Sequence, residues 1–276
     1  MNRPPEAKVR RNLIIFYVGT LLLSIAGIVL AGGQDVGAVL FIFGPLLMVL
    51  VVRFLLGDGW NDAGLGLQFK SNWRWYLFAL LIFPAVILVV ISVNVLVGWT
   101  TLSLPVPELI PSFLGGFAQQ LIPSMIFAVS EEWAWRGYLE PRFALLGIPA
   151  IRRHVTVGVL WAVWHFPFIL STDYTKTPIG LFLPLFVMGL ILLALIYGKM
   201  RSSSGSVWPG VLMHGMSNAV AFPVIAGELI AYDNELLGGI QSASLSVLVA
   251  LTLVALLVWR RQDRARSSTA IHPASA

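Results

Sequence analysis

Eight stretches of the 276-residue chain are long and apolar, with polar residues gathered between them. They run approximately over residues 12–32, 37–56, 75–98, 112–131, 155–171, 179–198, 208–227 and 242–259. Most approach the roughly 20 residues that an α-helix needs to cross a bilayer core. The pattern predicts an all-α fold, a polytopic membrane bundle of about eight transmembrane helices. The first, third, sixth and eighth stretches are almost uninterrupted. The fourth and seventh carry Gln119, Gln120, His214 and Asn218, and the fifth is short and contains Pro167. The first stretch is longer than the apolar core of a signal peptide, about 7–15 residues, so a retained helix is expected. The organisation that follows is a cytoplasmic N-terminal segment at 1–11, a single transmembrane domain over 12–260 and a disordered cytoplasmic tail at 261–276. Within the transmembrane domain, residues 112–227 hold the chemistry described below.

Composition sharpens this picture. Charged residues make up 11% of the chain and hydrophobic ones 58%, whereas soluble domains carry about 25% charge. A soluble globular enzyme is excluded on that ground, and disorder is excluded by the apolar, aromatic-rich composition. There is no cysteine, so disulfides, thiol nucleophiles and thiolate metal sites are absent together.

The net charge of +5 is explained by its distribution. With both termini inside, 17 of the 18 Lys and Arg residues fall on the cytoplasmic side, and Lys176 alone falls outside. Asp35, Glu108, Asp173, Glu228, Asp233 and Glu235 fall outside. This positive-inside pattern accounts for the basic character without any nucleic-acid partner. Trp60, Trp73, Trp75, Trp99, Trp208 and Trp259 sit near span ends and read as an interfacial belt.

Three polar clusters interrupt the apolar spans, and ionisable groups inside a membrane usually mark function. Ser130-Glu131-Glu132-Trp133-Ala134-Trp135-Arg136 closes the fourth span. Glu132 and Arg136 are spaced i,i+4 for an ion pair, which leaves Glu131 to act as a base or ligand. Trp161-Ala162-Val163-Trp164-His165-Phe166-Pro167 lies in the fifth span. Pro167 lacks a backbone donor, so a local kink beside His165 is expected. In the seventh span, His214 and Asn218 share one helix face, and Gly215 and Ser217 permit close approach of a neighbouring helix. Each cluster by itself also fits a bland reading: a helix-end salt bridge, a core histidine, an inter-helix hydrogen bond. Depth favours convergence. At 1.5 Å per residue, Glu131 lies about 7 Å inward of Arg136, His214 about 9 Å from Trp208, and His165 about 12–15 Å from the start of its span. His154 and His272 fall in a loop and the tail and are given no role.

Two schemes use this set for amide hydrolysis. In one, Glu131 and a neutral imidazole activate water while a histidine and an asparagine stabilise the oxyanion. In the other, Glu131, His165 and His214 hold a divalent metal such as zinc, which lowers the pKa of bound water. The residues leave both open.

The order and spacing of Glu131-Glu132-x-x-x-Arg136, Trp161-x-x-x-His165 and His214-x-x-x-Asn218 resemble those of the CPBP family of intramembrane endopeptidases. That family includes the CAAX prenyl proteases and bacterial proteins linked to bacteriocin processing or self-immunity. The resemblance spans residues 131–218. It departs at Trp161, where the second motif commonly begins with Phe. It implies an eight-helix core with a site opening to the cytosol, and a peptide or membrane-protein substrate surrounded by lipid. It also implies roles: Glu131 with His165 activating water, His214 with Asn218 forming the oxyanion hole, and Glu132 and Arg136 shaping the site. Metal participation stays open in that family. Two other classes fit the same features, namely a non-catalytic binding or self-immunity protein on the same scaffold and a proton-coupled transporter.

Overall fold

In the computed structural model, the described residues are 4–31, 35–172, 174–175, 177–225 and 229–232. They form an all-α membrane bundle with one short strand pair. The helices are α1 (Glu6–Ala31), α2 (Asp35–Leu50), α3 (Phe69–Leu96), α4 (Val106–Ala134), α5 (Glu140–Leu145), α6 (Ala150–Ser171), α7 (Ile179–Ser204) and α8 (Trp208–Ile225). Wider π-helical turns, Val51–Leu55 and Trp135–Leu139, extend α2 and join α4 to α5. Strand β1 (Thr100–Leu102) pairs antiparallel with β2 (Ile230–Tyr232).

Five of the described helical spans are long and apolar enough to cross a membrane: Glu6–Val29, Phe69–Leu96, Val106–Leu145, Ala150–Ser171 and Ile179–Ser204. Val39–Leu55 is a shorter apolar helix. The expected eighth stretch, Trp259 and the tail lie outside the described residues.

The helices exceed the apolar stretches at several ends, and the reason is electrostatic. The apolar pattern ends α4 at Glu131, yet the helical path runs on to Leu145. Its charges, Glu132, Arg136, Glu140 and Arg142, are all buried and each meets an opposite charge, Glu140 that of Arg153 at 3.6 Å. Paired charges need no water, so the chain continues where a charge count would stop it. Helix α1 begins at Glu6, whose pair with Arg10 is exposed, and α7 extends past Arg201 to Ser204. His154, expected in a loop, is a buried residue of α6.

Packing places three of these elements around the chemistry. Helix α8 packs on α4 and α3, and α6 packs on α7. Close approach requires small residues. A Cβ at Gly215 would collide with Met125 of α4, and one at Gly158 would lie 2.6 Å from the Ile191 backbone of α7.

The segment between α2 and α3 is held by buried charge rather than exposed as a loop. Asp58 accepts from Asn12 and Tyr138, both at 2.8 Å. Asp62 pairs with Arg53 at 2.9 Å and Arg142 at 3.1 Å. Arg201 donates to the Asp62 carbonyl at 2.8 Å, and Trp208 to that of Leu65 at 2.6 Å. Trp60 and Trp208, expected as membrane-belt residues, therefore serve this packing: both are half-buried and both meet Trp133 edge-on.

Candidate active site

Helix α4 delivers two adjacent carboxylates, and its geometry separates their tasks. Successive residues on a helix point about 100° apart. Glu132 is fully buried and pairs with Arg136 one turn later, at 2.8 Å. The same oxygen, Oε1, lies 3.0 Å from Nδ1 of His214 on α8. That nitrogen must carry its proton to face a carboxylate, so His214 donates through Nδ1. Glu132 thus ties α4 to α8 and fixes the imidazole. A Cβ at Gly210 would sit 3.2 Å from the second oxygen of Glu132. The glycine lets this carboxylate approach the first turn of α8, where the helix dipole favours negative charge.

Arg136 is held on both faces. Its guanidinium carbon lies 4.4 Å from the Trp161 ring centroid and 4.5 Å from that of Tyr197. Such a cation between aromatic rings gains roughly 0.5–2 kcal/mol from each face.

Glu131 points elsewhere. Its Oε2 accepts from the Trp161 indole at 2.6 Å, with the Trp135 indole at 3.4 Å. Its Oε1 lies 3.9 Å from Nε2 of His214, longer than a direct hydrogen bond. His165, half-buried in α6, directs Nδ1 to the Trp161 carbonyl at 2.9 Å. A carbonyl accepts only, so Nδ1 carries the proton and Nε2 keeps its lone pair. Trp164, Phe186 and Phe41 surround that ring, at centroid distances of 4.5, 5.2 and 6.0 Å.

The sequence-derived site residues therefore gather on three helices, α4, α6 and α8. Trp161 neighbours both imidazoles, 5.6 Å from the His214 ring and 6.3 Å from that of His165. Asn218 follows His214 by one turn, and its Oδ1 lies 3.5 Å from the Ser217 hydroxyl. Helix α6 begins at Ala150, five residues before the expected span start, so His165 lies 15 residues, or about 22 Å, along the helix. Helix α6 runs through Pro167 to Ser171.

Among the described residues, no group of three His, Cys, Asp or Glu side chains is arranged to hold a metal ion. One nitrogen of His214 and one oxygen of Glu131 are already committed to Glu132 and Trp161. The set Glu131, His165 and His214 is therefore not a ligand cluster in this geometry.

The sequence did not single out Tyr197 or Gly210, and it treated Trp161 as motif spacing only. Each acts through ring packing, a missing Cβ or an indole N–H, which leave no charge or periodicity signal along the chain.

No curated protein matches the chain by sequence. Residues 113–220 match the family model described as Rce1-like, type II CAAX prenyl endopeptidase Rce1-like. That interval holds Glu131, Glu132, Arg136, Trp161, His165, His214 and Asn218, and it supports a CAAX-type intramembrane endopeptidase in general terms. The match covers residues 113–220, less than half of the 276-residue chain, and the motifs inside it are those that resemble the CPBP family of intramembrane proteases.

Proposed function

We propose that the protein hydrolyses a peptide bond of a membrane-embedded peptide or protein, using Glu131 to activate water. The observation that carries this reading is the buried chain from Arg136 through Glu132 to His214, which ends 3.9 Å from Glu131.

The chemistry follows from the atoms. Water between Glu131 and an imidazole gives a proton to the carboxylate while its oxygen attacks the scissile carbonyl carbon. The carbonyl oxygen becomes an oxyanion, which the Asn218 amide and His214 stabilise, His214 acting as an imidazolium whose Nε2–H donates while Nδ1–H stays on Glu132. Collapse breaks the C–N bond, and the proton held by Glu131 passes to the departing amine. His165, with its Nε2 lone pair free, assists water activation. Glu132 and Arg136 hold His214 in place. Because the donors do not converge on one point, no step is routed through a metal. Both termini face the cytoplasm in this reading, which rests on the positive-inside distribution of Lys and Arg.

The test uses the purified protein in proteoliposomes and two quenched peptides, one S-farnesylated with a CAAX terminus and one unmodified and membrane-spanning. Wild type should cleave at least one, and Glu131→Ala and His165→Ala should lose that activity while remaining folded. Cleavage by Glu131→Ala at the wild-type rate would overturn the assignment, as would failure of the wild type on both peptides.

A further inference from the structure

We propose that Trp161 is a positioning residue for Glu131, its indole N–H holding Oε2 so that Oε1 is the oxygen that takes the proton from water. This rests on the hydrolytic reading above and adds the residue that orients its base.

The indole nitrogen lies 2.6 Å from Oε2 of Glu131, and Trp161 is 3% exposed. A short bond to an ionised acceptor, away from water, is of the charge-assisted kind and about twice as strong as a neutral one. The indole is a donor only. It therefore donates to Oε2 and cannot turn to accept. Trp135 approaches the same oxygen at 3.4 Å, a much longer contact. With Oε2 committed, Oε1 is the oxygen facing His214.

Trp161 itself has little freedom to move. Arg136 lies over its ring, Tyr197 packs at 6.0 Å and His214 at 5.6 Å between centroids. Its carbonyl, in turn, accepts from Nδ1 of His165. One residue thus touches Glu131 by its N–H, Arg136 by its ring face and His165 by its backbone. A phenylalanine at this place would keep an aromatic ring and the carbonyl and lose the N–H together with the volume of the second ring.

The substitution Trp161→Phe removes that bond. In the farnesylated-peptide or membrane-spanning-peptide assay, whichever wild type cleaves, kcat should fall roughly tenfold or more, the loss expected of one charge-assisted bond. KM should stay within about twofold. A cavity that merely loosened the fold would not separate the two constants in this way. A second measurement needs no substrate and no altered core. In protein labelled with ¹⁵N at its indoles, the Trp161 resonance, assigned by its loss in Trp161→Phe or by contacts to Tyr197, should lie far downfield and exchange slowly. Glu131→Gln should move it toward the ordinary indole position. An unmoved resonance in Glu131→Gln, or a Trp161→Phe protein with wild-type kcat, would overturn the proposal. The failure of the hydrolytic reading looks different, since there Glu131→Ala itself retains cleavage.

Discussion

Removing Arg136 should destabilise the bundle far more than removing an ordinary basic residue. The side chains of Arg136 and Glu132 are 1% and 0% exposed and 2.8 Å apart. In Arg136→Ala, Glu132 keeps the Nδ1–H of His214 at 3.0 Å but loses its countercharge. Breaking a buried pair on one side costs about 3–5 kcal/mol, because the remaining charge is uncompensated. Loss of the cation between Trp161 and Tyr197 adds roughly 0.5–2 kcal/mol per ring. Retained bonding of His214 offsets part of this, so about 4 kcal/mol is the expected total. The double variant Glu132→Gln with Arg136→Met removes both charges and should recover much of the loss, since an apolar replacement of a buried pair is often neutral. Equilibrium unfolding in mixed micelles, with wild type, Glu132→Gln, Arg136→Met, the double variant and Arg136→Ala, measures the coupling. A cost below about 1 kcal/mol for Arg136→Ala, or a double variant no more stable than Arg136→Ala, would refute the claim that burial governs this pair.

Further expectations follow from other contacts. A Cβ at Gly198 would overlap the His154 ring, so Gly198→Ala should cost about 1–3 kcal/mol, and adding His154→Ala should restore most of it in the same unfolding assay. Asp58→Ala strips acceptors from Asn12 and Tyr138 and a charge from beside Arg142. It should lower stability by about 2–4 kcal/mol, whereas the exposed Glu6→Ala should change it by less than about 1 kcal/mol. Metal analysis of purified protein should find no stoichiometric divalent ion, and a chelator should leave peptide cleavage unchanged; a bound ion whose removal abolishes cleavage would show that the donors rearrange. Because the chain has no cysteine, orientation can be read from single additions. In intact cells an impermeant maleimide should label Glu108→Cys and should label Arg152→Cys only after permeabilisation.

The chain pattern by itself determined the membrane class, the all-α fold and the helices that carry Glu131, Glu132, Arg136, His165, His214 and Asn218. Apolar length and charge scarcity are properties of the chain alone, because lipid imposes the same demand on every span. Motif spacing likewise foretold the Glu132–Arg136 pair, which is local to one helix turn. Helix ends escaped this reading, since Glu140 and Arg142 appear as loop charges until their partners on α6 and in the α2–α3 segment are known. The division of labour between the two glutamates also needed the third dimension. Adjacent carboxylates are equivalent in sequence, and only the packing of α8 gives one to Arg136 and His214 while α6 brings the Trp161 indole to the other. The donor set that spacing allowed for a metal proved not to converge for the same reason. Each donor's direction is set by a bond to another helix, and such bonds between residues as distant as Glu132 and His214 exist only once the bundle has packed.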